Sequence, residues 1–407
     1  MNAQSPSKLR PKTLETKKFS SLLEEMLFDV VGELKNISSE NEKLSLVGGH
    51  LSSILFFFNF NRFYPDYDLE RLIEEQITRA FEKASNAELN SSLADGISGL
   101  GWLLDHIGLN KLEDNNEDID ECLLALLSQS KWKGDYDLLY GLVGIGVYAV
   151  QRVHTTNGRK ICEMVFNLLK GLAVITEDFA YWETSRESIF FRTDISAPQV
   201  DLGLAHGVSG VLGLLIKLHK NNIFPAQCKS LINKVSNYIQ LQIRDSVIGS
   251  SLPSHSSDER NSLLGWCYGD LSTSLLLIKA GNEIQNRELF QIGETLALKT
   301  LNRNKITENL EETSLCHGYS GIALIYKRLY QETSRVEFLE SSHYWMDELL
   351  QRYEIKKNLV ELMPQHKVTS EHFNGAGLLI GYAGIGLAIL SFIHPAAYGW
   401  DECILLS

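Results

Sequence analysis

The chain has no long apolar run and no apolar segment of the kind that signal peptides carry near the N-terminus. Its longest apolar candidate, residues 51–60, is interrupted by Asn59 and is far shorter than the roughly eighteen residues that a membrane-spanning helix needs. Residues 1–18 are polar and basic, which is typical of a flexible tail rather than of a secretion signal. We therefore predict no transmembrane segment, a flexible tail at residues 1–18 and one folded domain over residues 19–407.

Cysteine and positive charge are both scarce. Six cysteines among 407 residues, without paired spacing, do not form the framework of a disulfide-stapled protein, so their thiols suit a reducing cytoplasm. Asp and Glu (51) outnumber Lys and Arg (38), which gives a formal net charge of -13. Because binding to nucleic-acid phosphates needs clustered Lys and Arg, this balance argues against a nucleic-acid partner. We expect a cytoplasmic protein.

What the chain does contain is a recurring glycine motif. The pattern is Gly-x-(Ser/Ala/Val)-Gly, followed by an apolar run. Clear copies begin at Gly96, Gly141, Gly207, Gly318 and Gly381, and degenerate copies begin at Gly49 and Gly269. Successive copies lie roughly 45 to 66 residues apart, which leaves room for two helices in each repeat at about 1.5 Å per residue. Seven structural repeats are therefore predicted.

Two kinds of helical pattern alternate along these repeats. The runs after the glycines, such as residues 211–218 and 271–278, are apolar nearly all round, as buried helices are. The stretches between the motifs have apolar residues three and four apart, as half-exposed helices do. These stretches are residues 69–84, 159–175, 227–242, 288–301 and 336–353. The alternation predicts an all-α protein, an α,α-toroid of about seven inner and seven outer helices, with a small irregular or β insert around residues 176–205.

Two short motifs place metal-binding residue types just before glycines: Trp-Cys-Tyr-Gly at 266–269 and Cys-His-Gly at 316–318. We expect all the glycine loops at one end of the toroid, so residues that precede the glycines converge. Cys267, Cys316 and His317 are ligand types that tetrahedral zinc prefers, and they leave a fourth position for water or substrate. A single cysteine is more often a buried packing residue. Two cysteines at the same offset, with an adjacent histidine, favour one zinc ion per chain.

Two further polar residues precede glycine motifs at the same end. His206 lies directly before Gly207, and a histidine that does not bind the metal suits proton transfer near neutral pH. Asp137 lies four residues before Gly141 and could orient that histidine or accept a proton. The alternatives are a buried, hydrogen-bonded histidine and an aspartate that caps a helix, and the second is compatible with a chemical role.

The combined motifs resemble those of the lanthionine synthetase C-like family, the lanthipeptide cyclases. The resemblance rests on the seven glycine repeats, on the motifs at 266–269 and 316–318, and on Ala-His-Gly-Val-Ser-Gly at 205–210, and it covers most of the chain. It implies a zinc-dependent reaction in which cysteine thiols of a precursor peptide add to dehydroalanine or dehydrobutyrine. The products are lanthionine or methyllanthionine thioether rings.

Carried over residue by residue, the resemblance assigns the zinc ligands to Cys267, Cys316 and His317, the acid–base histidine to His206 and the catalytic aspartate to Asp137. It also implies the partners. These are the dehydrated precursor peptide, a separate dehydratase and an export transporter that would hold the cytoplasmic protein at the inner membrane.

The chain departs from the family pattern near the first zinc cysteine. Family members often carry an arginine four residues before that cysteine, where this chain has Leu263, and Arg260 is the nearby candidate to replace it. The second glycine that usually follows Trp-Cys-Tyr-Gly is also absent from residues 270–273. Arg260, Trp266 and Tyr268 are the predicted substrate-binding residues.

Two rival functions remain open. The first is a non-catalytic zinc protein of the same fold that binds thiol peptides or glutathione as a scaffold. The second is another zinc enzyme of α,α-barrel shape that alkylates thiols, resembling a prenyltransferase. That second rival explains the ligand types but leaves the seven glycine repeats without a reason.

Overall fold

The computed structural model describes residues 16–37, 44–109, 114, 116–184, 199–245, 249–363, 375–397 and 399–407. Fourteen α-helices lie within these ranges, in two concentric sets. The inner helices are α2 (His50–Asn61), α4 (Ile97–His106), α6 (Leu142–Gln151), α8 (Val208–Lys220), α10 (Asp270–Glu283), α12 (Tyr319–Thr333) and α14 (Tyr382–Ile393). The outer helices are α1 (Thr16–Ile37), α3 (Glu70–Asn86), α5 (Glu117–Leu127), α7 (Thr156–Leu172), α9 (Pro225–Gln242), α11 (Arg287–Thr300) and α13 (Val336–Lys356).

The inner helices form a closed ring. Each inner helix packs against the next one along the chain, from α2 to α14, and α14 packs against α2. The outer helices α3 to α13 each pack against the inner helix that precedes them, whereas α1 packs against α14 and α13. The first helix thus covers the seam between the last repeat and the first. The predicted all-α toroid of seven inner and seven outer helices is confirmed.

Burial separates the two rings as the hydrophobic patterns predict. Ten of the twelve residues of α14 are buried, because other helices surround it. Only Ile73, Gln76 and Ala80 are buried among the seventeen residues of α3, which has one face in water. An inner helix is therefore buried on nearly every side, whereas an outer helix needs only an apolar stripe.

In the clear copies of the motif, the second glycine allows the inner helix to start in close contact with the backbone of the loop that precedes it. At Gly321 a Cβ atom would lie 1.8 Å from the carbonyl oxygen of Leu315, so a side chain would have to displace the loop. In the first repeat Ser52 stands at the corresponding position, and its Oγ donates to the Leu46 carbonyl oxygen at 2.9 Å. A side-chain hydrogen bond replaces the close approach of a glycine there, which explains why this copy of the motif is degenerate.

A short antiparallel hairpin follows α7. Strand β1 (Val174–Ile175) pairs with β2 (Ala180–Tyr181), and β2 packs against α9. The hairpin begins slightly before the predicted insert of residues 176–205, because α7 ends at Leu172. Residues 185–198 of that predicted insert lie outside the described part of the chain.

The last described residues lie inside the ring. A 3-10 helix, Trp400–Ile404, is held by an ion pair of 2.7 Å between Asp401 and Arg328 of α12. Lys279 of α10 donates to the carbonyl oxygen of Leu406 at 2.9 Å. These contacts fill part of the centre of the toroid and tie inner helices to one another.

The first described helix begins inside the segment predicted to be a flexible tail. Helix α1 begins at Thr16, inside the predicted tail of residues 1–18, and residues 1–15 lie outside the described ranges. The division into a tail and one domain over residues 19–407 otherwise stays a prediction.

None of the helices that the structure describes is long and apolar enough to cross a membrane.

Candidate metal and acid–base site

The glycine loops meet at one end of the toroid, where backbone hydrogen bonds join neighbouring loops. In the third to sixth repeats these bonds run from Leu138 N to Ala205 O (3.2 Å), from Leu204 N to Cys267 O (2.9 Å) and from Trp266 N to Cys316 O (2.7 Å). The circle closes with a bond of 2.8 Å from Leu378 N to Val47 O. Four consecutive loops therefore bring the predicted metal ligands and proton-transfer residues next to one another, although they are far apart in sequence.

Cys267, Cys316 and His317 form a cluster of the metal-binding type. One sulfur or ring-nitrogen atom of each residue lies within 4.8 Å of those of the other two. Cys316 is buried, and the other two residues are half-buried. Among the residues that the structure describes, this is the one such cluster. Two thiols and an imidazole fit zinc, and three protein ligands leave one tetrahedral position for another molecule.

Hydrogen bonding inside the cluster makes one thiol acidic. The bond with Cys316 lowers the pKa of Cys267 to about 5, against the effect of burial, and a bond with His317 lowers the pKa as well. The thiolate is the form of cysteine that binds metal. The cluster therefore favours the thiolate form of Cys267 that a zinc ligand needs.

A carboxylate holds the other side of the His317 ring. Glu312, in the same loop, places Oε2 at 2.8 Å from His317 Nε2. Nδ1 is therefore the ring nitrogen that remains to share a metal ion with the two sulfurs. Burial lowers the pKa of His317, but hydrogen bonds with Cys267 and Glu312 outweigh burial and raise the pKa to about 9. Glu312 was not among the residues predicted from the sequence, because no motif or periodicity sets its distance from the histidine.

A second imidazole–carboxylate pair joins the third and fourth loops. His206 Nδ1 lies 2.5 Å from Asp137 Oδ2, and the Asp137 Oδ1 atom accepts a hydrogen bond of 2.7 Å from Tyr140 N. Burial lowers the pKa of His206, but the hydrogen bond and the charge of Asp137 raise it above its ordinary value. The ring of Tyr140 stacks on that of His206, with centroids 6.3 Å apart. Asp137 thus caps a turn and orients the histidine, and Nε2 of His206 remains for proton exchange.

A family model described as Lanthionine synthetase C-like protein matches residues 40–405. The chain belongs to the lanthionine synthetase C-like family. Among solved structures, the chain is similar to nisin cyclase, with a TM-score of 0.67 and 18% sequence identity over 96% of this chain and 98% of that chain. At this identity the likeness shows the fold. The family resemblance predicted from the motifs is confirmed.

Weaker likenesses to other solved structures also occur. A possible member of the GH105 family from Klebsiella pneumoniae subsp. pneumoniae gives a TM-score of 0.40 at 10% identity, over 88% of this chain and 100% of that chain. An unsaturated glucuronyl hydrolase specific for heparin gives a TM-score of 0.40 at 10% identity, over 83% and 99%.

The tyrosine of the family motif Trp-Cys-Tyr-Gly is anchored beside the metal cluster. Tyr268 Oη donates to Asp201 Oδ2 at 3.0 Å, and His255 Nε2 lies 3.4 Å from the same oxygen. Asp201 and His255 are both buried. Neither was predicted from the sequence. The one available signal is that Asp201 lies five residues before His206 in the same loop, whereas His255 comes from a distant segment.

The position where this family often carries arginine is occupied by Leu263, whose residue surface is 52% exposed. The guanidinium of Arg260 is bound to Asp258 at 2.9 Å, with the arginine side chain 71% exposed. Trp266 is fully buried, and its Nε1 donates to the Ile404 carbonyl oxygen at 2.9 Å. Trp266 therefore packs against the C-terminal segment. The substrate contacts predicted for Arg260, Trp266 and Tyr268 stay predictions.

A buried ion pair lies at the start of α10, in the repeat whose motif lacks the second glycine. Asp270, at the start of α10, is buried and pairs with Arg303 at 2.5 Å, and it accepts a hydrogen bond of 2.9 Å from Ser251 N. The preceding Gly269 has a φ of +100°, a conformation that favours glycine. The loop next to Cys267 is therefore held by charged side chains as well as by close backbone packing, since a Cβ atom at Gly269 would lie 2.3 Å from the Leu263 carbonyl oxygen.

Proposed function

We propose that this protein is a zinc-dependent lanthipeptide cyclase. It would catalyse the Michael-type addition of precursor-peptide cysteine thiols to dehydroalanine or dehydrobutyrine, forming lanthionine or methyllanthionine rings. The observation that carries the proposal is the arrangement of the four consecutive loops. Two thiols and an imidazole cluster within 4.8 Å, and the His206–Asp137 pair lies on the two preceding loops.

The metal half of the proposal rests on the donor set. Cys267, Cys316 and His317 would hold one zinc ion per chain, and the open position would be taken by the substrate thiol. When bound, zinc lowers the pKa of a coordinated thiol and so supplies a nucleophilic thiolate at neutral pH.

The proton-transfer half rests on His206. Addition of the thiolate to the β-carbon forms a C–S bond, opens the C=C bond and leaves an enolate. A protonated His206 would deliver its Nε2 proton to the α-carbon. The proton that the thiol loses on ionisation would return to His206 by exchange through solvent, so that the elements of the thiol S–H are added across the alkene. Asp137 keeps the ring oriented through Nδ1 and raises the pKa of His206, which favours the protonated donor.

The resemblance also supports a set of partners. A dehydrated precursor peptide would be the substrate, a separate dehydratase would prepare it, and an export transporter would remove the product. Through such partners a cytoplasmic protein would be peripheral at the inner membrane. The acidic net charge of -13 suits a neutral or cationic peptide.

Ring closure leaves the peptide mass unchanged but consumes one free thiol per ring, so thiol alkylation followed by mass spectrometry measures the reaction. We expect the wild type to contain about one zinc per chain and to remove free thiols from a dehydrated precursor. Cys316→Ala should lose both properties. Cys122→Ala, at an exposed cysteine of α5, is the matched control and should keep both.

The scaffold function is the second candidate. Leu263, at the position where the family often has arginine, leaves it open, whereas His206 and Asp137 weigh against it. The thiol-alkylation assay distinguishes a scaffold from a cyclase. A scaffold would bind zinc and a thiol peptide, but every thiol would remain open to alkylation in the presence of the wild-type protein.

A further inference from the structure

Glu312 is a carboxylate that contacts a predicted zinc ligand from the side opposite to the sulfurs. The geometry points to Glu312 as a positioning residue that presets the His317 ring for zinc binding. This inference rests on the proposed function, because it takes the cluster to be a zinc site. It goes beyond the predicted ligand set, since no motif of the sequence includes Glu312.

The position of Glu312 is itself fixed at three points. Its Oε2 atom contacts His317 Nε2 at 2.8 Å, and Oε1 accepts a hydrogen bond of 3.3 Å from Ser314 Oγ. Its carbonyl oxygen accepts a bond of 2.9 Å from Tyr319 N, the first residue of α12. The side chain is only 13% exposed, so water competes little for the carboxylate. Glu312 therefore connects the imidazole to the start of an inner helix.

The contact decides which nitrogen of His317 can bind metal. A neutral imidazole carries a single N–H, and a carboxylate at Nε2 keeps that hydrogen there. The lone pair is then on Nδ1, the nitrogen left for Cys267 and Cys316. Without the carboxylate, the ring could carry its hydrogen on Nδ1 or rotate away. The free energy needed to order the ring would then weaken the affinity for zinc. Metal-binding histidines commonly donate their other N–H to a carboxylate for this reason.

The experiment measures zinc affinity in the full-length protein by competition with a chromophoric chelator. The variants are Glu312→Ala, Glu312→Gln and the matched control Glu311→Ala, at a neighbouring glutamate whose side chain is 81% exposed. We expect Glu312→Ala to weaken zinc binding by about 10- to 100-fold. Glu312→Gln keeps an acceptor for the Nε2 hydrogen and should lie between this variant and the wild type. The control should bind zinc as the wild type does.

A second readout separates positioning from a general loss of structure. The wild type loaded with Co²⁺ should show the visible absorption of a tetrahedral thiolate site. In Glu312→Ala this spectrum should weaken or change shape at saturating Co²⁺, while the helical circular dichroism of the protein stays the same. If Glu312→Ala does not fold, the nearly isosteric Glu312→Gln decides through its zinc affinity and its spectrum.

The inference is overturned if the variants that fold bind zinc as tightly as the wild type and give the same Co²⁺ spectrum. In that case the proposed function is untouched, because the wild type still holds its metal. A wild-type protein that binds no zinc would instead refute the proposed function, and the role of Glu312 with it.

Discussion

Two imidazole–carboxylate pairs lie at the same end of the toroid, and the carboxylate contacts a different ring nitrogen in each. Asp137 contacts His206 through Nδ1, which leaves Nε2 for a substrate. Glu312 contacts His317 through Nε2, which leaves Nδ1 for the sulfurs. In both pairs burial lowers the histidine pKa and the carboxylate raises it. The two carboxylates therefore leave opposite ring nitrogens available, Nε2 of His206 and Nδ1 of His317.

The origin of the two carboxylates also differs. Glu312 belongs to the same loop as its histidine, so this pair is contained in the sixth repeat, although Cys267 of the cluster comes from the fifth. Asp137 belongs to the loop before that of His206, so the proton-transfer half depends on how two repeats pack. The bond of 3.2 Å from Leu138 N to Ala205 O holds these two loops together. The bond of 2.7 Å from Trp266 N to Cys316 O likewise joins the two loops of the metal cluster, so damage to packing between repeats should affect both proton transfer and metal binding.

The largest expected effect is on the metal half. His317→Ala removes one of three ligands, so we expect zinc content to fall from about one per chain to near zero and ring formation to stop. Metal analysis of the purified protein and the thiol-alkylation assay measure both. Retention of stoichiometric zinc by this variant would mean that the cluster uses other ligands.

His206→Asn should separate the two halves. The variant loses the proton donor but no metal ligand, so zinc content should stay near one per chain while turnover falls by about 10² to 10⁴-fold. The matched control is His219→Asn, because His219 Nδ1 contacts Glu283 at 2.6 Å in a similar pair at the far end of α8. Equal losses of turnover in the two variants would show that His206 acts through stability alone.

Asp137→Asn should have a smaller effect than loss of the histidine itself. Because Asp137 raises the pKa of His206, its neutral replacement should lower that pKa. The protonated donor is then lost at a lower pH, so the alkaline limb of the pH–rate profile should move to lower pH. Turnover at neutral pH should fall by about 10- to 100-fold, with zinc content unchanged. An unshifted alkaline limb would argue that another group supplies the proton.

Trp266→Phe should give the smallest effect. The substitution removes the hydrogen bond from the indole to the Ile404 carbonyl oxygen and leaves that buried acceptor unpaired. We expect a loss of about 1 to 3 kcal/mol in the free energy of unfolding, measured by urea denaturation, with zinc content retained. A large rise in KM without a change in stability would instead support the substrate contact predicted for Trp266.

Much of the fold could be predicted from the sequence because its causes are local. The apolar runs after each glycine and the amphipathic stretches between them identify the inner and outer helices of a repeat. Two elements departed from these patterns because of contacts that the patterns do not show. Helix α7 ends at Leu172 where a hairpin takes over, and Ser52 replaces a glycine by bonding to the Leu46 carbonyl oxygen.

The candidate site was predictable only where residue type alone marks the chemistry. Cysteine and histidine just before a glycine identify the ligand cluster, and His206 stands at the equivalent place in its own repeat. Asp201 and Glu312 could not be found in this way, because acidic residues are common in loops and no spacing rule marks these two. The burial of Trp266, a motif residue, was equally invisible, since it depends on a C-terminal segment that lies inside the ring.

The sequence by itself determined the helical class, the number of repeats, the end of the toroid where the chemistry gathers and the residue types of the cluster. Periodicity and glycine placement are local properties, and they act through the few residues of one helix or one loop. Only the tertiary structure decided which carboxylate contacts which imidazole, and through which ring nitrogen. Those choices depend on the side-chain directions of loops that become neighbours when seven repeats close into a ring.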